Sequence, residues 1–230
     1  MDFVWKGVGL NDNIEAQVDP SYQAGRTSIR PLEFASKDLG IGGHFRMAVT
    51  FSTTTAGPVA GAPLFAMRWA DPRMFYTLLN VQASAIITTV FSAATALDFD
   101  LILARSYTTN PSGGTPILLA DSAQKMRSNQ MSGSLLGSSG AMQISAGAGI
   151  TLGTCVLDTQ PIGYGALMAS TTTVGAAGPP ITLFDTRDLQ CHPPVLKANE
   201  GFAIRNLTAF PATGVAKIGF VFSWAELPTY

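Results

Sequence analysis

A chain of 230 residues is long enough for one large β domain, or for a domain with an extended arm. Only 13% of its residues are Asp, Glu, Lys or Arg, roughly half of the ~25% of an ordinary soluble domain. The net charge is −1, and no basic run exceeds the two-charge clusters Arg68/Arg73 and Lys125/Arg127, which excludes a nucleic-acid binder that must neutralise phosphates.

The start, Met1-Asp2-Phe3, has no basic stretch leading into an apolar one, so no signal peptide is expected and synthesis in the cytoplasm follows. Residues 1–40 hold no period. Asn11-Asp12-Asn13, Asp19-Pro20 and Arg30-Pro31 interrupt them, and Phe3, Trp5, Ile14 and Tyr22 stand as isolated apolar anchors. Irregular segments of this kind lie across other surfaces. Residues 1–40 are therefore predicted to be an extended arm whose anchors meet a partner, and residues 41–230 a β-sandwich domain.

From Phe45 to Thr53, Phe45, Met47, Val49 and Phe51 alternate with Arg46, Ala48, Thr50 and Ser52, the period of a half-buried strand. Strands are also predicted over Leu64–Trp69, over Phe75–Thr89 with a break near Asn80, and over Leu97–Ser106. The most apolar stretch, Ala83–Leu97, is too short for a membrane span and is interrupted by Ser84, Thr88, Thr89, Ser92 and Thr95. Asn110-Pro111-Ser112-Gly113-Gly114 is a turn. Leu119–Met131 is the one predicted helix, capped by Asp121 or Ser122, and Ser132–Gly149 reads as a Gly/Ser linker. Further strands are predicted around Ile150–Asp158, Tyr164–Thr172, Ile181–Phe184, Phe202–Leu207 and Val215–Trp224. In the last of these Ile218, Phe220, Phe222 and Trp224 share one face, and with Phe99, Leu101, Leu103 and Ile204 they form the predicted core. Eight or more strands divided by turns, without crossover helices, predict an all-β fold, an antiparallel β-sandwich of jelly-roll-like form.

Catalytic constellations are missing from the sequence. There is no Gly-x-Ser-x-Gly, and the Gly-Ser-Ser-Gly at 137–140 is a linker pattern. Gly147-Ala148-Gly149 lacks the third glycine of a dinucleotide fingerprint, Leu152 standing in its place. With His44 and His192 as the only histidines, multi-histidine sites are excluded. Cys191-His192 offers two neighbours that point to opposite faces of a strand. Asp98 and Asp100 share a strand face but are expected to be solvated or paired with arginines. The tryptophans Trp5, Trp69 and Trp224 are expected in packing rather than in sugar stacking. Cys155 and Cys191 read as two small hydrophobes, and the sequon Asn206-Leu207-Thr208 as a chance match. No enzyme activity, metal or cofactor is expected.

Five segments in order, 65–85 (FAMRWADPRMFYTLLNVQASA), 98–108 (DFDLILARSYT), 122–137 (SAQKMRSNQMSGSLLG), 151–163 (TLGTCVLDTQPIG) and 192–206 with 219–227 (HPPVLKANEGFAIRN, GFVFSWAEL), resemble a family of virion-associated proteins encoded by tailed bacteriophages and environmental viral genomes. The resemblance spans residues 45–227 and implies a particle component, made in the host cytoplasm and carried on the capsid surface, with no catalytic residues to transfer. On this reading the chain is a capsid decoration or cement protein. It would bind the major capsid protein and copies of itself, as a homotrimer, with no nucleic-acid or membrane partner. The alternative is a tail-fibre or receptor-binding head domain, whose Ser/Thr/Gly loops at 53–63, 108–115 and 171–180 would read a host surface.

Overall fold

The computed structural model describes residues 18–19, 24–25, 43–119, 134–136, 141–169, 174–175, 177, 179–186 and 192–227. The chain divides into two units, Met1–Glu33 and Phe34–Tyr230. In the first, β1 (Val18–Asp19) and β2 (Ala24–Gly25) form a short antiparallel pair. The arm anchors Phe3, Trp5, Ile14 and Tyr22 lie outside the described residues, as do all but the first residue of the predicted helix at Leu119–Met131.

The second unit is all-β, and its described strands pair only antiparallel. Its principal strands are β3 (Gly43–Ser52), β4 (Pro63–Trp69), β5 (Phe75–Thr89), β6 (Thr95–Arg105), β10 (Gly163–Ala169), β11 (Ile181–Asp185), β13 (Glu200–Asn206) and β14 (Val215–Leu227). They pair in nested order: β3 with β14, β4 with β13, β5 with β11 and β6 with β10. The first four strands thus meet the last four in reverse. The result is two sheets, β11-β5-β14-β3 and β10-β6-β13-β4, wrapped as a jelly roll. The break predicted near Asn80 is a bulge at Leu79, where Ser223 opposes Asn80 and Trp224 opposes Leu78.

Strand alternation places one face of each sheet in a common core. Phe99, Leu101, Leu103, Ile204, Ile218, Phe220, Phe222 and Trp224 are all buried there. Phe65 stacks on Phe222 with ring centroids 4.3 Å apart, and Trp224 stacks between Phe45 and Tyr76 at 5.5 and 5.9 Å. Burying each such side chain contributes about 1.5–3 kcal/mol.

The connection from β6 to β10 departs from the sequence reading. The supposed linker contains β8 (Met142–Ile144), a buried three-residue strand that pairs with β4 and with β7 (Thr115–Pro116), extending that sheet by two strands. Ile150–Asp158 is not a strand. Thr151 makes a single bridge to Ser112, and only β9 (Val156–Leu157) pairs, with the end of β6. Ile150, Leu152 and Leu157 instead pack on Ala66, Ile102 and Ala203, forming a second small core on the outer face of the β6/β13/β4 sheet. That cover explains why β6 is buried on both faces from Phe99 to Ala104.

Candidate partner interface

Nested pairing fixes which connections share an end of the sandwich. Ser52 opposes Lys217 and Thr89 opposes Val215 in one sheet; Pro63 opposes Arg205 and Thr95 opposes Ala169 in the other. The connections 53–62, 90–94, 170–180 and 207–214 therefore emerge together. Not one of these 34 residues is Asp, Glu, Lys, Arg or His, where the chain average would place about four charges. Among the described residues, the connections at the opposite end carry Asp71, Arg73, Asp158 and Lys197, so charge is absent from one end only.

The uncharged end also exposes apolar side chains. Among the described residues, Val59 is 69% and Val174 60% accessible, and Val90 and Leu207 are exposed beside them. Ile86, bridged to Ala177, joins the same patch. Among the described residues, charges begin only at the rim, with Lys217, exposed on β14, and Asp98, half-buried on β6. The Asp98 carboxylate accepts hydrogen bonds from Thr208 N and Oγ1, both at 2.9 Å.

Backbone bonds between the connections hold this end in shape. Phe210 N donates to Pro58 O at 3.2 Å, Thr213 N to Thr55 O at 2.9 Å, Gly61 N to Asn206 O at 2.7 Å and Ser92 N to Ala212 O at 3.4 Å. Asn206 is wholly buried, and its Nδ2 donates to Val59 O at 2.8 Å and to Thr208 O at 3.0 Å. So engaged, it offers no amide for glycosylation. Phe91 and Phe210 meet edge to face, centroids 6.1 Å apart, beneath the surface. Gly57 adopts φ +63°, and a Cβ there would stand 2.9 Å from Phe210 Cβ, so the turn requires glycine.

The remaining sequence candidates are dispersed. Asp100 faces outward on β6 but is buried by Arg205, which binds it through Nε at 3.0 Å and through Nη2. Asp98 and Asp100 thus serve Thr208 and Arg205 separately. Cys155 is a half-exposed free thiol that burial pushes up in pKa, beside Tyr107; Cys191 lies outside the described residues. Among the described residues no three His, Cys, Asp or Glu side chains gather where a metal would bind, and no helix is long and apolar enough to cross a membrane. The uncharged end went unseen in the sequence because its four parts are distant in the chain and unremarkable one at a time. Its only signal, the lack of charge, acquires a location from the strand order. No protein-family model and no curated protein matches the chain.

Proposed function

We propose that this protein is a structural component of a virus particle, a capsid decoration or cement protein whose uncharged end seats on neighbouring coat subunits. The observation that carries the reading is the uncharged, apolar-studded end held in one shape by its own backbone bonds. A surface without charge loses little on desolvation, and a pre-ordered one loses little entropy on docking. A protein that binds only the assembled shell stabilises that shell by mass action. The jelly roll and the resemblance to virion-associated proteins support the same assignment. The receptor-binding alternative draws less support, because Phe91 and Phe210, the aromatics of the described loops at this end, are buried and present no stacking platform.

The test is to place a charge in the patch. Val59→Asp and Val174→Asp alter exposed side chains and are expected to leave the melting temperature within about 2 °C. Binding to particles stripped of this protein should weaken at least tenfold, because a charge buried without a partner costs more than the 1.4 kcal/mol that a decade represents. Unchanged binding would remove this end from the interface. A count of only a few copies per purified virion would remove the cement role itself.

A further inference from the structure

Tyr164 is the one exposed aromatic side chain among the described residues, 59% accessible on β10. Its direction follows from its neighbours. β10 closes onto β11 through its glycines: a Cβ on Gly163 would run into Leu183 O, and one on Gly165 would stand 2.6 Å from Ile181 Cδ1. Leu167 is buried on the same side of the strand. Alternation then turns Tyr164 and Ala166 outward, and both are exposed. Among the described residues, the uncharged end holds no stacking platform; this outer face of the β10-β6-β13-β4 sheet has one.

Groups able to hold a polar ligand stand beside the ring. Tyr164 lies opposite Asp100, and Asp100 opposite Arg205, in the row next to the covered one of Ile102 and Ala203. The bonds from Arg205 Nε and Nη2 to Asp100 pin the guanidinium over β6, the strand beside Tyr164, about 5 Å away between strand axes. Nη1 has no partner among the described residues, and 23% of the Arg205 side chain is accessible. Half-buried Asp98 lies opposite exposed Ala166, a residue too small to cover it. Its two oxygens each take one hydrogen bond from Thr208 and have lone pairs to spare.

We propose that this face binds a neutral pyranose ring of an oligosaccharide, stacked on Tyr164, with adjacent hydroxyls shared between Arg205 Nη1 and the Asp98 carboxylate. The C–H bonds on one side of a pyranose carry the slight positive charge that the π-face of a phenol attracts. Each hydroxyl both donates and accepts, so a neighbouring pair matches a donor and an acceptor held side by side. Charge selects against other flat ligands. Arg205 is already neutralised by Asp100, and Asp98 adds a negative charge, so a nucleotide or an acidic sugar is repelled. The two bonds to Asp100 hold the guanidinium in place before the ligand arrives, which lowers the entropy lost on binding. An open sheet face buries little of its ligand, so one site is weak and gains strength only when displayed in many copies. The site rests on β6, β10 and β13 rather than on the four uncharged connections, and its binding stands independently of what that end docks on.

The experiment is saturation-transfer NMR of the full chain with maltohexaose, cellohexaose and mannohexaose, and with an oligogalacturonate of equal length as the acidic probe. Transfer to the ring C–H protons of at least one neutral sugar is expected, and none to the acidic one. Tyr164→Ala should weaken binding roughly tenfold or more, whereas Tyr164→Phe, which keeps the ring, should stay within about twofold of the wild type. Both alter an exposed side chain and should melt with the wild type. Arg205→Lys retains a charge for Asp100 but has no second nitrogen to offer, and it should weaken binding several-fold, as should Asp98→Asn. No transfer to any neutral sugar, transfer that survives Tyr164→Ala, or a preference for the acidic probe overturns the proposal. Loss with Tyr164→Ala alone, both polar variants binding as the wild type does, removes Arg205 and Asp98 from the site.

Discussion

Glu226 is the most constrained titratable side chain among the described residues. It is wholly buried near the end of β14, where Oε1 accepts from Ser134 Oγ and from Trp224 Nε1 at 3.0 Å, and Oε2 accepts from Leu135 N at 3.0 Å. It thereby ties the 134–136 segment to the centre of the sandwich. Burial raises its pKa above the ordinary 4.5, against the pull of these three donors, and Asp71 adds to the rise. The folded state then holds a proton that the unfolded chain has released. The contribution of Glu226 is fully present below about pH 4.5 and is lost as pH rises through its folded pKa. His44 runs the other way. Burial and then Arg46 lower its pKa below 6.5, so stability is present above that value and lost as pH falls through the folded pKa. Glu226→Gln should cost about 1–3 kcal/mol, since the amide N–H2 faces either Leu135 N–H or the Ser134 and Trp224 donors. It should also erase the decline in melting temperature on the alkaline side of pH 4.5. A melting series across pH that keeps this decline in the variant would assign it to another group. Asn206→Ala, which frees Val59 O and Thr208 O inside the fold, is expected to cost a similar 1–3 kcal/mol, measured by denaturant unfolding.

Elements differ in how much of them a sequence discloses. β14 and β3 alternate over long runs, so their faces were legible from apolar period alone. β8 was not. Met142-Gln143-Ile144 is too short to show a period and lies among Gly and Ser, and its strand character comes from pairing on both sides with β4 and β7. Ile150–Asp158 misled in the opposite sense. Its apolar residues are spent on covering the outer face of a sheet rather than on joining one, and composition does not distinguish the two uses. The close of β10 on β11 yields a test at this scale. Gly163→Val would force its Cβ into Leu183 O, displacing two strands, and should lower the melting temperature by several degrees, in line with the 1–3 kcal/mol of an overpacked site. An unchanged melting temperature would show that the two edges have freedom to part.

At the scale of the molecule, the class of fold was legible and its use was not. Many short strands with turns between them announce a sandwich, but only the nested order gathers four neutral connections at one end and the charged ones at the other. The chain divides between Glu33 and Phe34, so removing residues 1–33 is expected to leave thermal unfolding of the β body near that of the full chain. Loss of the folded body would instead make those residues part of its core. The nested order also has a consequence for biosynthesis. β14, the last described strand in chain order, is an inner strand between β3 and β5, and it supplies Ile218, Phe220, Phe222 and Trp224 to the core. At about 5–20 residues per second, β3 waits for its partner while residues 53–214 are made. A nascent chain cut short anywhere before Val215 therefore carries an unclosed sheet with its aromatic face in water.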